Sequence, residues 1–231
     1  MVPSPEASSP RCYPLVECRW QVESDGSPRR AVQRNDIPVR TATLEDVDAA
    51  TRTLTRAFAD NVFTRHVISG DHYLQRLEQF HRLFVENIGI PYGRVWITAD
   101  GSAASVWTTP ATADSGDVLA PIAGRFGELA GDRADVYIAC EEEMARHRPA
   151  GPVWFLGSVG VDPARQGRGL GRAVIEPGLA AADAESVPAF LETSERVNVG
   201  IYERMGFEVT AEYELPAGGP VTWAMTRPAG S

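Results

Sequence analysis

The chain has 231 residues, of which 43% are hydrophobic and 8% aromatic, and its formal net charge at pH 7 is −9. This length and apolar content predict one well-buried domain, and the acidic balance argues against a general binder of the nucleic-acid backbone. No run of about 18 apolar residues and no basic segment followed by an apolar core occurs, so we expect neither a membrane span nor a secretory signal. The expected location is the cytoplasm.

The residue types exclude several chemistries. All 22 basic residues are arginine, so a lysine nucleophile or Schiff base is excluded. Cys12, Cys18 and Cys140 form neither a disulfide framework nor a zinc pattern, and Cys140 is interpreted as a small helix residue. The histidines lack metal-ligand spacing and are interpreted as surface or packing residues: His66, His72, His81 and His147. We therefore expect no metal.

The N-terminal part differs in composition from the rest. Residues 1–35 contain scattered prolines, serines and charges without a period of 2 or 3.6, which predicts a flexible extension, and residues 36–231 are expected to form the domain. A short strand is predicted at residues 37–40. The first helix should run from Leu44 to about residue 59, with Thr43 as its N-cap and Asp46 at the reciprocal capping position.

The middle of the chain alternates between helical and strand patterns. Residues 61–70 read as a break, and residues 72–88 as an amphipathic helix. Its apolar stripe is Leu74, Leu77, Phe80, Phe84 and Ile88. Two β-rich runs, 94–98 and 103–108, flank Asp100-Gly101 and predict a hairpin, whose Trp96 and Trp107 are interpreted as core. Two helices are expected next, at residues 114–130 and 132–148.

The C-terminal half begins with residues 153–161, the most apolar run, which predicts a central strand. The remaining elements are expected as a helix at 170–185 kinked by Pro177, a strand at 189–193, a short helix at 199–205, and strands at 207–215 and 221–226. The order predicts an α/β (α+β) fold with a mixed sheet and helices on both faces.

A glycine-rich loop follows the central strand at residues 166–171. Every second residue of this loop is a glycine, at Gly167, Gly169 and Gly171, which lets successive backbone N–H groups turn toward one point. The helix that follows adds its free N–H groups and the positive end of its dipole. The nearby cations are Arg165, Arg168 and Arg172. The pattern predicts an anion site, with a purely structural turn as the alternative.

Two other glycine loops do not fit this segment. A nucleotide-hydrolase loop needs Lys-Ser/Thr after its last glycine, and here Arg172-Ala173 follows Gly171. The dinucleotide fingerprint spaces its glycines as Gly-x-Gly-x-x-Gly, whereas these alternate strictly. The anion expected here is therefore of another kind.

The loop and a second motif together resemble the GNAT acetyltransferase superfamily. The family's cofactor motif, Gln/Arg-x-x-Gly-x-Gly/Ala after a central strand, matches residues 166–171, and residues 159–163 match its usual lead-in. Residues 198–207 resemble the family's Asn-x-x-x-Tyr followed by Gly-Phe. The resemblance implies a mostly antiparallel sheet of six to seven strands and acetyl-CoA as cosubstrate.

A finer resemblance is to the puromycin N-acetyltransferases. It is carried by residues 57–60, 106–110, 190–194 and 222–226, and it extends over roughly residues 38 to 228. It implies acetylation of an aminonucleoside antibiotic, hence resistance. The chain departs from those enzymes at Asn61, where they carry a tyrosine after the aspartate, and this removes an aromatic surface for a nucleoside.

By resemblance, the site residues follow from the matched motifs. Those implied to bind acetyl-CoA are Val159, Gly160, Val161, Gln166, Gly167, Arg168, Gly169, Leu170, Gly171, Arg172, Asn198 and Tyr202. Val159 and Val161 would offer backbone groups to the pantetheine arm, and the N–H near Gly160 would polarise the thioester carbonyl. Glu192 is the candidate base, acting through water, and Tyr202 the candidate acid that protonates the thiolate.

The sequence allows another interpretation for each of these three residues and for the function. Glu192 could be a paired carboxylate at a strand end, Tyr202 a packed tyrosine, and Asn198 a helix N-cap. The acceptor could be another small amine or a protein N-terminus, and the chain could instead bind acyl-CoA without turnover. The expected assembly is a monomer or homodimer that contacts neither nucleic acid nor membrane.

Overall fold

The structure is a computed structural model that describes residues 38–113 and 115–230. Its centre is one seven-stranded sheet in the order β1-β2-β3-β4-β5-β7-β6. The strands are β1 Val39–Thr41, β2 Arg94–Thr98, β3 Ala103–Thr108, β4 Trp154–Val161, β5 Ala189–Thr193, β6 Glu208–Glu214 and β7 Val221–Arg227. The predicted extension at residues 1–35, with Cys12 and Cys18, lies outside the described residues.

All neighbouring strands are antiparallel except β4 and β5, which run parallel. Nine α-helices are present in the described residues: α1 Val47–Phe58, α2 Val62–Val67, α3 Tyr73–Phe84, α4 Ile90–Tyr92, α5 Pro110–Ala113, α6 Gly116–Ala130, α7 Ala134–Ala145, α8 Leu170–Ala184 and α9 Arg196–Glu203. The predicted fold class, a mixed and mostly antiparallel sheet with helices on both faces, is confirmed.

The helices divide between the two faces of the sheet and create two cores. One core joins α1, α3, α6 and α7 to the sheet and includes Leu54, Phe84 and Phe190. The other joins α8 and α9 to the opposite face and includes Val174 and Tyr202. Alternate residues of each strand enter alternate cores, as the two-residue period of a strand requires.

Most predicted elements are present, and two predictions about the first third of the chain are wrong. The 61–70 segment is not a break, because α2 occupies most of it and the Asn61 side chain accepts a hydrogen bond from the Thr64 N–H at 2.9 Å. Leu74 does not belong to the buried stripe of α3, since it is 56% exposed. Tyr73 is buried instead, and its hydroxyl lies 2.8 Å from Thr64 Oγ1.

The first helical turn behaves as its sequence predicts. The Thr43 N–H donates to Asp46 Oδ2 at 2.9 Å ahead of α1. In α8, the chain stays helical through Pro177. Within residues 38–113 and 115–230, no helix is both long and apolar enough to cross a bilayer.

Candidate active site

The middle of the sheet contains a gap between β4 and β5. The two strands share register pairs at Trp154–Ala189 and Phe155–Phe190. Beyond Phe155, β4 continues to Val161 beside β3, while the described part of β5 supplies it with no further register partner. Main-chain groups along this side of β4 are therefore available to a ligand rather than to a neighbouring strand.

A β-bulge interrupts β4 at the start of the gap. Ser158 pairs with Val106 and Leu156 with Trp107, so Gly157 is the extra residue. A Cβ at Gly157 would lie 2.6 Å from Phe84 Cζ, and one at Gly160 would lie 2.8 Å from the Ala57 side chain. Both positions therefore require glycine for α1 and α3 to pack against the sheet, whatever else the Gly160 backbone does.

The glycine-rich loop lies at the end of β4, as predicted. Gly167 and Gly169 have φ angles of +75° and +77°, a region that favours glycine. A Cβ at either position would meet nothing within 4 Å, so the loop leaves open space in front of its backbone. Helix α8 begins at Leu170, immediately after Gly169, so the N–H groups of its first turn, including that of Gly171, have no acceptor within the helix. This geometry suits an anion.

The three arginines near the loop differ in their partners. Arg165 pairs with Asp100 at 2.9 Å and Arg172 with Glu176 at 2.7 Å. Arg168 is exposed and forms no ion pair with the residues that the structure describes. Arg168 is therefore the arginine most available to a bound anion.

The Gln166 side chain at the start of the loop is only partly hydrogen-bonded. Its Nε2 donates to the Val161 carbonyl at 3.3 Å, and its Oε1 is buried without a hydrogen-bond partner among the residues that the structure describes.

Glu192 is buried on β5, on the face that carries α1, α3 and α7. Its Oε1 accepts a hydrogen bond from the Tyr213 hydroxyl at 2.5 Å, and its Oε2 accepts one from Arg148 Nε at 3.2 Å. Burial raises the pKa of Glu192 above its usual range, while the Arg148 charge and the two hydrogen bonds oppose that rise. A raised pKa suits a carboxylate that must accept a proton near neutral pH.

Arg148 connects Glu192 to a second buried carboxylate. Its Nη2 donates to Glu141 Oε2 at 3.4 Å. Burial acts to lower the pKa of Arg148, and the charges of Glu192 and Glu141 outweigh burial, so the pKa is raised and the guanidinium stays charged. The His147 ring stacks on Tyr213, with 3.8 Å between centroids. One buried cation is thus shared by two buried carboxylates on this face.

Tyr202 and Asn198 lie on the opposite face, in α9. Tyr202 is fully buried, and its ring contacts Phe207 edge-on at 5.8 Å between centroids. Asn198 Nδ2 donates to Thr193 Oγ1 at 3.2 Å. Because α9 starts at Arg196 with Glu195 as its N-cap, Asn198 lies inside the helix, and its interpretation as an N-cap is wrong.

The structure thus places the predicted site residues in three groups around the gap: the loop and α8 at one end, Tyr202 and Asn198 on one face, and Glu192 on the other. Sequence reasoning missed Arg148 and Tyr213, the partners of Glu192. Neither belongs to a motif, and they lie 44 and 21 residues from Glu192 in sequence. Tyr213 reaches Glu192 from β6, two strands away in the sheet, and Arg148 reaches it from the segment that follows α7.

Three further observations bear on ligands and on reactive groups. A cleft of about 450 Å³ lies along α8 and is lined by Arg172, Arg204 and Arg227 among others. Over the described ranges, no group of three or more His, Cys, Asp or Glu side chains is arranged to hold a metal ion. Burial raises the pKa of the Cys140 thiol to about 12, so this cysteine stays protonated at neutral pH.

Comparison with known proteins adds a family match. Residues 121–207 match the model of the acetyltransferase (GNAT) family. An uncharacterized N-acetyltransferase of Schizosaccharomyces pombe is 44% identical over 54 residues, which is 23% of this chain and 22% of that protein. The chain thus matches only about a fifth of the length of that curated relative.

Several solved structures share the fold. A Corynebacterium glutamicum protein described as histone acetyltransferase HPA2 and related acetyltransferase superposes with a TM-score of 0.65 at 22% identity, covering 84% of this chain and 96% of that one. Arylalkylamine N-acetyltransferase 2 of Aedes aegypti gives 0.56 at 13% identity, covering 84% and 99%. Polyamine N-acetyltransferase of Drosophila melanogaster gives 0.52 at 15%, covering 84% and 100%.

At these identities the structural matches establish the fold and leave the substrate open. The family match covers the region that contains β4, the glycine-rich loop, α8, β5 and α9. The same region forms the gap and the loop described above. Residues 121–207 are therefore similar to the acetyltransferase (GNAT) family, and the fold of the described residues is shared with solved acetyltransferases.

Proposed function

We propose that this chain transfers an acetyl group from acetyl-CoA to the primary amine of a small molecule. The observation that carries the proposal is the gap between β4 and β5, which ends at a glycine-rich loop suited to an anion. An extended polar chain with a diphosphate at one end fits this arrangement, because the strand edge offers amide groups and the loop offers N–H groups.

The residues of the loop fit the diphosphate of acetyl-CoA. The open space before Gly167 and Gly169, the exposed Arg168 and the unpartnered Gln166 Oε1 are the observations that support this fit. The backbones of Val159 and Val161 would bind the amides of the pantetheine arm, and Asn198 would contact the same arm. When bound, acetyl-CoA supplies the activated acyl group.

The two proton transfers of the reaction would then take place on opposite faces of the gap. Glu192, on the α1 and α7 face, accepts a proton from the acceptor amine. The amine nitrogen forms a bond to the acyl carbon as the carbon–sulfur bond breaks, with the N–H near Gly160 polarising the carbonyl. Tyr202, on the α9 face, donates its proton to the departing thiolate. Because the two side chains lie on opposite faces, the acid and the base do not compete for the same proton.

For the acceptor we propose puromycin or a similar aminonucleoside, on the strength of the four sequence strings at residues 57–60, 106–110, 190–194 and 222–226. The fold does not select among acceptors, since its solved neighbours include proteins named for arylalkylamines and for polyamines. Another small amine or a protein N-terminus is the alternative acceptor. Binding of acyl-CoA without turnover is the alternative function.

The test is release of free CoA thiol from acetyl-CoA by the purified full chain. The panel contains puromycin, agmatine, tryptamine and a short peptide with a free N-terminus, with amine-free protein and the Tyr202→Phe variant as controls. We expect thiol release above both controls with puromycin. Release with another amine alone would contradict the aminonucleoside assignment, and release with none would contradict turnover itself.

A further inference from the structure

Ser158 carries a buried hydroxyl at the point where β4 and β5 separate. It follows the bulge residue Gly157, and its side chain is fully buried. Among the residues that the structure describes, its Oγ has no hydrogen-bond partner. A buried hydroxyl without a partner is costly, so this atom is expected to be satisfied by something that enters the site.

Strand geometry places Ser158 on the same face of the sheet as Glu192. Val159 packs in the α8 core, whereas a Cβ on Gly160 would meet α1. Ser158, two residues before Gly160, therefore faces α1, because strand side chains alternate with a period of two. On β5, Leu191 enters the α8 core, so Glu192 faces the other way.

The register places these two residues on opposite borders of the gap. Phe155 and Phe190 form the last parallel pair. Counting onward from it, and allowing for the extra residue Gly157, Ser158 on β4 corresponds to Glu192 on β5. An acceptor that delivers its amine to the gap from this face would have the carboxylate on one side and the hydroxyl on the other.

We propose that Ser158 positions the acceptor amine, its Oγ accepting a hydrogen bond from one amine N–H while Glu192 accepts the proton that the amine loses. The inference rests on the proposed function. Each carboxylate oxygen of Glu192 already accepts a hydrogen bond from a protein group. Glu192 alone would therefore contact one N–H of the amine and leave the orientation of the other N–H unfixed. A second acceptor across the gap fixes the remaining N–H and so directs the nitrogen lone pair toward the acyl carbon.

The test compares Ser158→Ala with wild type by steady-state kinetics, with the amine that the panel above selects. We expect kcat/KM for the amine to fall roughly tenfold or more, the size associated with one hydrogen bond to a charged or polarised group. The KM for acetyl-CoA should stay the same. Because no protein partner is lost, the melting temperature should be equal or higher.

Ser105→Ala is the matched control. Ser105 is a buried serine on the neighbouring strand, but it faces α8, and its hydroxyl donates to the Val174 carbonyl at 2.6 Å. This substitution removes that hydrogen bond and also the acceptor of the buried Trp107 Nε1, which donates to Ser105 Oγ at 3.3 Å, so it should lower the melting temperature without changing kcat/KM for the amine. Ser158→Cys provides a second variant of similar shape with a weak acceptor, and it should reproduce the kinetic loss.

The outcomes separate the two proposals. Unchanged kcat/KM for the amine in Ser158→Ala, or a fall confined to acetyl-CoA, would overturn the role of Ser158 while the proposed function stands. If wild type turns over no amine, the proposed function fails and the role of Ser158 fails with it. If wild type is active, a lower melting temperature for Ser158→Ala than for wild type would show that the hydroxyl is structural and overturn the inference alone.

Discussion

The hydroxyl of Tyr213 donates a hydrogen bond to Glu192 Oε1 at 2.5 Å, although the two residues lie on strands that are not neighbours. Tyr213 is on the edge strand β6 and Glu192 on β5, with β7 between them. The β7 residue paired with Glu192 is Ala224, whose small side chain leaves room above the sheet. A residue of an edge strand therefore contacts the proposed base directly.

Substitution of Tyr213 by Phe should shift the pH dependence of the reaction. The Tyr213 hydroxyl acts to lower the pKa of Glu192, against the effect of burial, so its loss should raise that pKa further. Because a base acts in its deprotonated form, the acidic limb of the kcat/KM profile should move to higher pH. We expect a loss of about fivefold to tenfold at pH 7 that recovers at higher pH.

The matched control for that profile is Tyr73→Phe. Tyr73 also loses a buried hydrogen bond, here to Thr64 Oγ1 at 2.8 Å, but it lies away from Glu192. It should lower stability and leave the pH profile in place. An acidic limb that does not move in Tyr213→Phe would remove Glu192 from the role of base.

Replacement of Tyr202 by Phe should lower kcat by roughly 10²-fold or more, the range of a general acid. The ring stays in place against Phe207, so the fold and the affinity for acetyl-CoA should change little. Single-turnover kinetics and calorimetric titration with CoA measure the two quantities separately. An unchanged rate would leave Tyr202 as a packing residue.

Gly169→Val should abolish tight binding of acetyl-CoA. The φ angle of +77° opposes any branched residue, and the new side chain would occupy the open space in front of the loop. Gly218→Val is the control, because Gly218 has a φ of +69°, open surroundings and a position between β6 and β7. Both variants should be destabilised, and the Kd for acetyl-CoA should rise at least tenfold in Gly169→Val alone. Equal Kd values would mean that the loop is a turn and nothing more.

His81 should make the protein sensitive to acid. It is fully buried on α3, and burial lowers its pKa to about 3. Between that value and the unfolded value of about 6.5, the unfolded chain binds a proton that the native state does not, so stability falls as the pH falls below about 6.5. Between pH 7 and pH 5 this amounts to about 2 kcal/mol.

The substitution His81→Leu removes that contribution, so urea unfolding at pH 7 and pH 5 should show a smaller loss than in wild type. Neither ring nitrogen of His81 has a hydrogen-bond partner among the described residues, and leucine should therefore be tolerated at pH 7. His72→Gln is the control, since the His72 side chain is 71% exposed. If wild type and His81→Leu lose the same free energy, His81 is not the acid-sensitive group.

Features that depend on neighbouring residues in sequence were predictable. The hairpin runs were predicted at 94–98 and 103–108, and β2 and β3 have those bounds, because Asp100-Gly101 sets the turn between two apolar runs. The glycine-rich loop was predictable for the same reason: Gly167 and Gly169 adopt the positive φ angles that glycine alone favours.

Features that depend on packing were not predictable. The sequence pattern places Leu74 in the apolar stripe of α3. In the structure the buried face of the helix is turned toward α2 and includes Tyr73 and His81 instead. Two interpretations of Glu192 remained open because its surroundings come from α7, β6 and the segment after α7. No local pattern indicates that Arg148 would become a buried cation shared by two carboxylates.

The separation of β4 from β5 also links ligand to stability. A continuous sheet satisfies its peptide groups from within, whereas this sheet leaves part of one central strand to be satisfied by whatever enters. A ligand that binds there stabilises the native state alone, by about 2.7 kcal/mol at a concentration of 100 times its Kd. The melting temperature of this protein therefore depends on the fraction of molecules that have a ligand bound between β4 and β5, as well as on the chain itself.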